Sequence, residues 1–409
     1  MDSLQSNGGV LTSVLFDELI TEILSRLPVK TLMQFKCVCK SWKTLISHDS
    51  SFTKLHLHRS RCNTHLALLS DQDISDTKWD FSVVPIPVSR ILEIPLRNIS
   101  IPKDPSYYLF TNMDCCFIVG SCNGLICLNG DSSPTEPLNC WLRFWNPATK
   151  TLSEKLGYPT NFFKFITFGY DILNDTYKVV AFSANKVNIF SMSDNAWRDI
   201  PTFPIVPFGV ESEHLECHPF LNCGVYVRGT INWLAIRNMT DQYEWRDITI
   251  DQFVIVSLDL ATETYRQLLP PSGFVEVPPI QPFVTVLMDS LCFSHYFKGT
   301  HFVLWKMMEF GVQESWTQFL KISFQDLQID YGSSDWERFE EQMFLLPLCV
   351  SESNDTLIMA CKQEGYDFDE QHAILYNWRD KRVKHTTSVN NKIWWFYTKD
   401  YVESLVSSS

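Results

Sequence analysis

The sequence predicts an α+β multidomain chain: a small all-α module at the N-terminus, followed by a mainly-β domain expected to be a β-propeller of about seven blades. Three observations lead there. A stripe of apolar residues at helical spacing is confined to the first 60 residues. The long remainder consists of short β-branched and aromatic runs punctuated by Gly, Pro, Asn and Asp. Several of those runs repeat one strand–turn–strand pattern. The expected boundaries are 1–11 as a disordered N-terminus, 12–59 as the helical domain, 60–403 as the β domain and 404–409 as a flexible tail.

In the helical segment, Leu19, Ile20, Ile23, Leu24 and Leu27 fall at i, i+1, i+4, i+5 and i+8, one stripe of an α-helix and no alternation. Thr12 and Ser13 offer capping oxygens upstream, and Asp17 and Glu18 suit the positive end of the helix dipole. The helix is expected to stop near Arg26, because Pro28 disfavours helical geometry in the residue before it. Beyond it, Thr31 can cap a second helix in which Leu32, Phe35, Val38, Cys39, Trp42 and Leu45 recur, with Lys36, Lys40 and Lys43 on the other face. So short a module cannot bury that much apolar surface within itself with stability to spare. Either the rest of the chain covers it, or a partner does.

In the remainder, VNIFSMSDNAWRDI from Val187, IVSLDLATETYRQL from Ile255, ILYNWRDKRVKH from Ile374 and the shorter RFWNPATKTL from Arg143 share a strand, a polar turn and a second strand. Asn, Asp, Ser and Thr suit the turns because their side chains bond nearby backbone groups. The hairpins recur irregularly, near multiples of the ~40 to 50 residues of a propeller blade, which gives roughly seven blades. Ring closure also removes long exposed edges; a pair of β-sandwiches is the competing arrangement. Gly124 and Gly229 fit tight turns, and Trp145, Trp233 and Trp316 fit packing between blades.

Composition narrows the function. The chain has 409 residues, 45% hydrophobic and 20% charged, enough for a large ordered core. Its 34 basic and 47 acidic residues give a formal charge of −13, which argues against a general affinity for nucleic acid. Residues 12–59 carry seven basic against four acidic side chains, so this module stands at +3 and everything else at −16. A basic module on an acidic domain points to an acidic protein partner. No basic and then apolar leader opens the chain and no run of 18 apolar residues occurs, so no membrane association is expected. Thirteen irregularly spaced cysteines read as reduced thiols, and the expected location is cytoplasmic and/or nuclear.

The N-terminal pattern, Leu15, Glu18, Leu19, Glu22, Ile23, Leu24, Ser25, Arg26, Leu27, Pro28, Val29, Lys30, then Leu32, Phe35, Val38, Cys39, Lys40, Ser41, Trp42, Leu45 and Ile46, closely resembles the F-box. One departure is Phe16, where that family has proline after the leucine. Downstream, SCNGLICL (Ser121 to Leu128), WNPATK (Trp145 to Lys150), FGYDILNDTYKVV (Phe168 to Val180), GTINWLA (Gly229 to Ala235), IVSLDLATETYRQL and LWKMMEFGVQESWTQ (Leu304 to Gln318) resemble, in order, the F-box associated, kelch-like domain of plant F-box proteins. The resemblance implies the substrate-recognition subunit of an SCF (cullin-RING) ubiquitin ligase. It would bind the Skp adaptor, and through it the cullin and RING subunits, and hold a target protein for ubiquitination. The adaptor-binding residues it implies are Leu15, Leu19, Ile20, Ile23, Leu24, Leu27, Pro28, Val29, Leu32, Phe35, Val38, Cys39, Trp42 and Leu45.

No nucleotide-binding, zinc-protease, nucleophile-elbow or kinase motif occurs, and the chain is expected to be a non-catalytic subunit without cofactor. His214, Cys217, His218 and Cys223 are chemically adequate for zinc, but their spacing matches no standard finger, and no metal is expected. Loops on one face of a propeller converge, and aromatic residues are frequent binding hot spots. Phe162, Phe163, Tyr243 and Trp245 are therefore the candidate target-binding residues. The alternative is a propeller enzyme, or a lectin-like or scaffold module, in which the helices only cap the core.

Overall fold

The computed structural model describes residues 9–60, 64–75, 78–93, 108–109, 117–131, 140–157, 165–210, 224–238, 245–329, 343–363, 370–386 and 392–408. Four helices come first: α1 (Gly9–Leu24), α2 (Val29–Phe35), α3 (Lys40–His48) and α4 (Ser50–Ser60). Six antiparallel sheets follow, numbered here as blades 1 to 6.

The helical boundaries correct the sequence reading in three places. Gly9, Thr12 and Ser13 lie inside α1, so the helix begins within the stretch expected to be disordered. Pro28, with φ of −57°, precedes α2, and the expected second helix is two helices. Residues 36–39 leave helical geometry, and the Cys39 thiol then caps α3 by accepting the Trp42 backbone N–H at 3.5 Å. Helix α4 was not foreseen; Asp49 starts it by accepting the Phe52 N–H at 2.9 Å.

Blades 3 to 6 are consecutive four-stranded meanders: blade 3 spans Phe165–Asp171 to Ala196–Ile200, blade 4 Val225–Val227 to Tyr265–Leu268, blade 5 Phe283–Leu287 to Trp316–Ser323 and blade 6 Met343–Val350 to Arg382–His385. Blade 2 runs from Phe117–Cys122 to Thr151–Leu152 with a short extra strand, Leu156–Gly157. Blade 1 joins both ends of the chain. Thr64–Ser75 pairs with Lys78–Pro87 on one side and with Lys392–Ile393 and Lys399–Val402 on the other, in the register Thr64 to Val402 and Ala67 to Lys399. Innermost strands contact one another in ring order and the sixth meets the first, so the sheet edges close. The count is six, not seven: the 339 residues from 64 to 402 shared among six sheets give about 56 each, above the ~40 to 50 on which the expectation rested.

The repeated hairpins are the third and fourth strands of blades 2, 3, 4 and 6. Three of the four turns, those of blades 2, 4 and 6, are opened in one way. Asn146, Asp259 and Asn377 each accept two backbone N–H groups from the residues two and three places on, at 2.9–3.3 Å. Four residues after the turn opener the backbone enters the left-handed region, at Lys150, Asn195, Glu263 and Lys381, with φ of 50–58°. The polar opener satisfies the amides that this bend strips from the ladder.

Between blades the core is aromatic and aliphatic. Trp145 packs among Leu69, Val83 and Tyr401 between blades 1 and 2. Trp233, 1% exposed, meets Phe182 and Phe203 edge-on between blades 3 and 4. Trp316 lies between blades 4 and 5 and donates its indole N–H to the Leu269 carbonyl at 3.1 Å. These are the packing roles expected from sequence. One charged cluster also spans blades 3 and 4: buried Lys178 reaches Asp171 at 2.9 Å and Glu263 at 3.0 Å, and Arg198 also engages Glu263. Burial would raise the Asp171 pKa, but hydrogen bonds from Asn174 and Lys178 hold it below the usual carboxylate range.

Residues 404–408, expected to belong to a flexible tail, pack against the propeller and the helices. Ser404 and Ser408 are buried, and the Asn146 amide donates to the Ser404 and Val406 carbonyls at 3.0 and 2.7 Å. Gly124, at φ of +83°, makes room: a Cβ there would lie 2.1 Å from the Ser404 hydroxyl. Leu405 packs on the helical core, while Val406 packs between blades 2 and 3.

Two outcomes follow. Trp233→Ala is expected to cost about 3–5 kcal/mol, read from urea unfolding of the propeller. Leu405→Ala, at a partly covered site, is expected to cost the helical module about 1–2 kcal/mol, read by pulse proteolysis across a urea series, with propeller stability unchanged.

Candidate functional site

Within the helical module the apolar side chains divide sharply. Leu24, Leu32, Ile46 and Phe52 form a small buried core, and Val29 is also fully buried. Ile20, Leu27, Phe35, Trp42 and Leu45 are half-buried around it, and the Phe35 and Trp42 rings stand 5.5 Å apart. Leu19, Ile23 and Val38 are exposed to 57%, 61% and 60%. Leu19 and Ile23 sit one turn apart on α1, so the helix has an inner stripe satisfied by its own module and an outer stripe facing solvent.

Of the fourteen residues implied for adaptor binding, Leu24 and Leu32 lie in the module's own core and Val29 is fully buried. Their burial positions the others. Leu19, Ile23, Pro28, Val38 and Cys39 are exposed, and the five half-buried residues present an edge. Leu15 lies in α1, but its side chain is outside the described residues.

Helix α4 holds this arrangement together. Arg59 spans to α1, pairing with the Glu22 carboxylate at 2.5 Å, donating to the Glu22 carbonyl at 3.0 Å and bonding the Ser25 hydroxyl. Hydrogen bonds from Arg59 and Arg26 lower the Glu22 pKa. Buried His56 donates from Nε2 to the Leu27 carbonyl at 2.9 Å, in the turn between α1 and α2; burial lowers its pKa and keeps it neutral. The sequence reading stopped at Ile46 and missed both residues; Asp49 as an N-cap before Phe52 and His56 was the available signal.

The surrounding charge is basic. Lys30, Lys40 and Lys43 are exposed, and burial with the nearby Lys43 charge lowers the Lys36 pKa. At the exposed start of α3, bonds from Ser41 and the Trp42 amide lower the Cys39 pKa.

The module touches the propeller on one side only of the described ring. Because successive strands alternate direction, the first-to-second and third-to-fourth turns of every blade share one face, and the second-to-third turns share the other. Lys54 of α4 pairs with Asp175 at 2.9 Å in the first turn of blade 3, and Ser404 seats against Gly124 in the first turn of blade 2. Both contacts are on the first face.

The four candidate target-binding aromatics are not brought together. Phe162, Phe163 and Tyr243 lie outside the described residues, as do His214, Cys217, His218 and Cys223. Trp245 is half-buried: its ring packs on Phe208 and Phe253 and its N–H donates to the Pro278 carbonyl at 2.7 Å. Its ring and donor are engaged in the chain's own packing. Among the described residues, no group of three or more His, Cys, Asp or Glu could hold a metal ion, and no helix is long and apolar enough to cross a membrane.

Comparison with known proteins agrees with this division. Residues 13–54 match the F-box domain, and residues 78–408 match the F-box associated beta propeller domain. An F-box/kelch-repeat protein of Arabidopsis thaliana is 28% identical over 327 residues, covering 75% of this chain and 78% of its own. The F-box protein CPR1 of the same plant is 25% identical over 331 residues, covering 74% of this chain and 71% of its own. Helices with the F-box pattern, a closed six-bladed ring and a family match across most of its length place the chain in one family: it is an F-box protein with an F-box associated β-propeller domain.

Proposed function

We propose that this chain is the substrate-recognition subunit of an SCF ubiquitin ligase, docking on the Skp adaptor through its helices and holding a target protein on its propeller. The observation that carries the reading is the outer stripe of α1. Leu19 and Ile23 stay exposed although the module has formed its own core, and Val38 adds a third bulky apolar side chain. Exposed apolar residues flanked by lysines suit an acidic helical partner, with area burial giving affinity and charge giving orientation.

In this role the chain performs no bond chemistry. It raises the effective concentration of target lysines near a ubiquitin-charged enzyme held by other subunits. That demands a fixed relation between the docking helices and the target domain. Lys54 and Leu405 supply contacts of that kind.

The test is adaptor binding by full-length variants. Leu19→Asp with Ile23→Asp is expected to weaken binding at least about 100-fold, roughly 2.7 kcal/mol, with the unfolding midpoint unchanged because both sites are exposed. Leu24→Asp is expected to unfold the helices instead. Adaptor binding at wild-type affinity by the folded double variant would refute the docking assignment.

A further inference from the structure

The face of the propeller away from the helices carries a cationic site that no carboxylate pairs with among the described residues. In blade 5, the turn between the second strand (Ser290–Phe297) and the third (His301–Met307) places Phe297 half-buried and Lys298 exposed. The Lys298 ammonium lies 5.4 Å from the centre of the Phe297 ring and that of Lys321, from the fourth strand, lies 4.2 Å from it. The two distances cap the separation of the ammoniums at 9.6 Å. Neither has a carboxylate within 4 Å among the described residues.

The setting is firm. The connection from blade 4 is pinned by Phe274, which packs edge-on against Phe253 and Phe293. Val275 and Glu276 follow it, and the Glu276 carboxylate reaches the Lys298 backbone, which brings this segment to the lysine turn. Glu276, the nearby carboxylate, accepts the backbone N–H of Lys298 instead of pairing with its side chain. Val275, the neighbour of Glu276 in sequence, is exposed to 62% and adds an apolar side chain to the same segment.

Two like charges over one ring repel each other, and cation–π attraction at an exposed site offsets this by only ~0.5–1 kcal/mol each. An anion relieves the repulsion, and two flexible four-carbon stems let both ammoniums converge on it. The rest of the chain outside residues 12–59 stands at −16, so anionic segments are repelled from most of the domain. A local pair of cations then confers selectivity as well as attraction.

We propose that Lys298, Lys321 and the exposed part of Phe297, with Val275 on the adjoining segment, form a target-recognition site for a peptide segment bearing an acidic or phosphorylated side chain next to an apolar one. This rests on the reading of the propeller as the target-holding domain. It places the target on the face opposite the docking helices, so both partners can be held at once.

The probe is a set of three decapeptide libraries, randomised except for a central phosphoserine, glutamate or serine, presented to the full-length protein at low and physiological salt. The phosphoserine or glutamate library should be retained at least about tenfold over the serine library, with the ratio falling as salt rises. Stronger retention of phosphoserine than of glutamate identifies a phosphorylated target; equal retention identifies an acidic one. The preference should vanish in K298E/K321E and persist in K298R/K321R, with adaptor binding unchanged in both. Equal retention of all three libraries by the wild type, or an undiminished preference in K298E/K321E, overturns the proposal. Adaptor binding is scored separately, so loss of the docking reading would leave the peptide result standing.

Discussion

The backbone pairing of Thr64–Ala67 with Lys399–Val402 is the constraint from which the rest of the architecture follows. It joins segments more than 330 residues apart and turns six sheets with open ends into a ring. Each blade then covers both faces with a neighbour, which is why the chain can carry so many apolar strands. Closing a loop of that length is entropically costly, though the cost grows only with the logarithm of its length. The interface around Trp145 includes Tyr401 of the closing strand and so is complete only when the ring is closed.

Closure also organises the termini. The helices enter blade 1 at Thr64, and the tail leaves it after Val402, at the paired ends of neighbouring strands. Both therefore emerge on one face, where Leu405 can reach the helical core and Lys54 can reach Asp175. The exposed ion pair contributes little by itself, since such pairs are typically worth ~0–1 kcal/mol. The apolar contact of Leu405 and the buried Asn146 amide fix the tail, and the tail gives the helices a floor. The opposite face stays clear of these contacts.

Much of this was legible in the sequence where the cause is local. Asn146, Asp259 and Asn377 announce their hairpins because a side-chain carbonyl or carboxylate answers the amides of the turn it opens. The helical stripe and the packing tryptophans were visible in the same way. Where the cause is distant, sequence was silent. Periodicity ran unbroken through residues 36–39, although the chain leaves the helix there. One stripe holds Ile23 and Leu24, yet only packing decides that Ile23 faces water and Leu24 the core. The tail looked like a polar terminus, because what binds it is Asn146. The packing of Trp245 was hidden too, because Phe208, Phe253 and the Pro278 carbonyl meet it only after folding.

Blade number illustrates the same limit, since dividing length by an average blade assumes connections of average length. The account stands or falls on the closing strands, and amide hydrogen exchange of residues 64–71 and 399–402 measures them directly. Equal, slow exchange in both segments, matching the innermost strands of blades 3 to 6, is the expected result. Fast exchange across 399–402 with slow exchange across the blade 3 to 6 strands would mean that the ring is open and the placement of helices and tail has lost its cause.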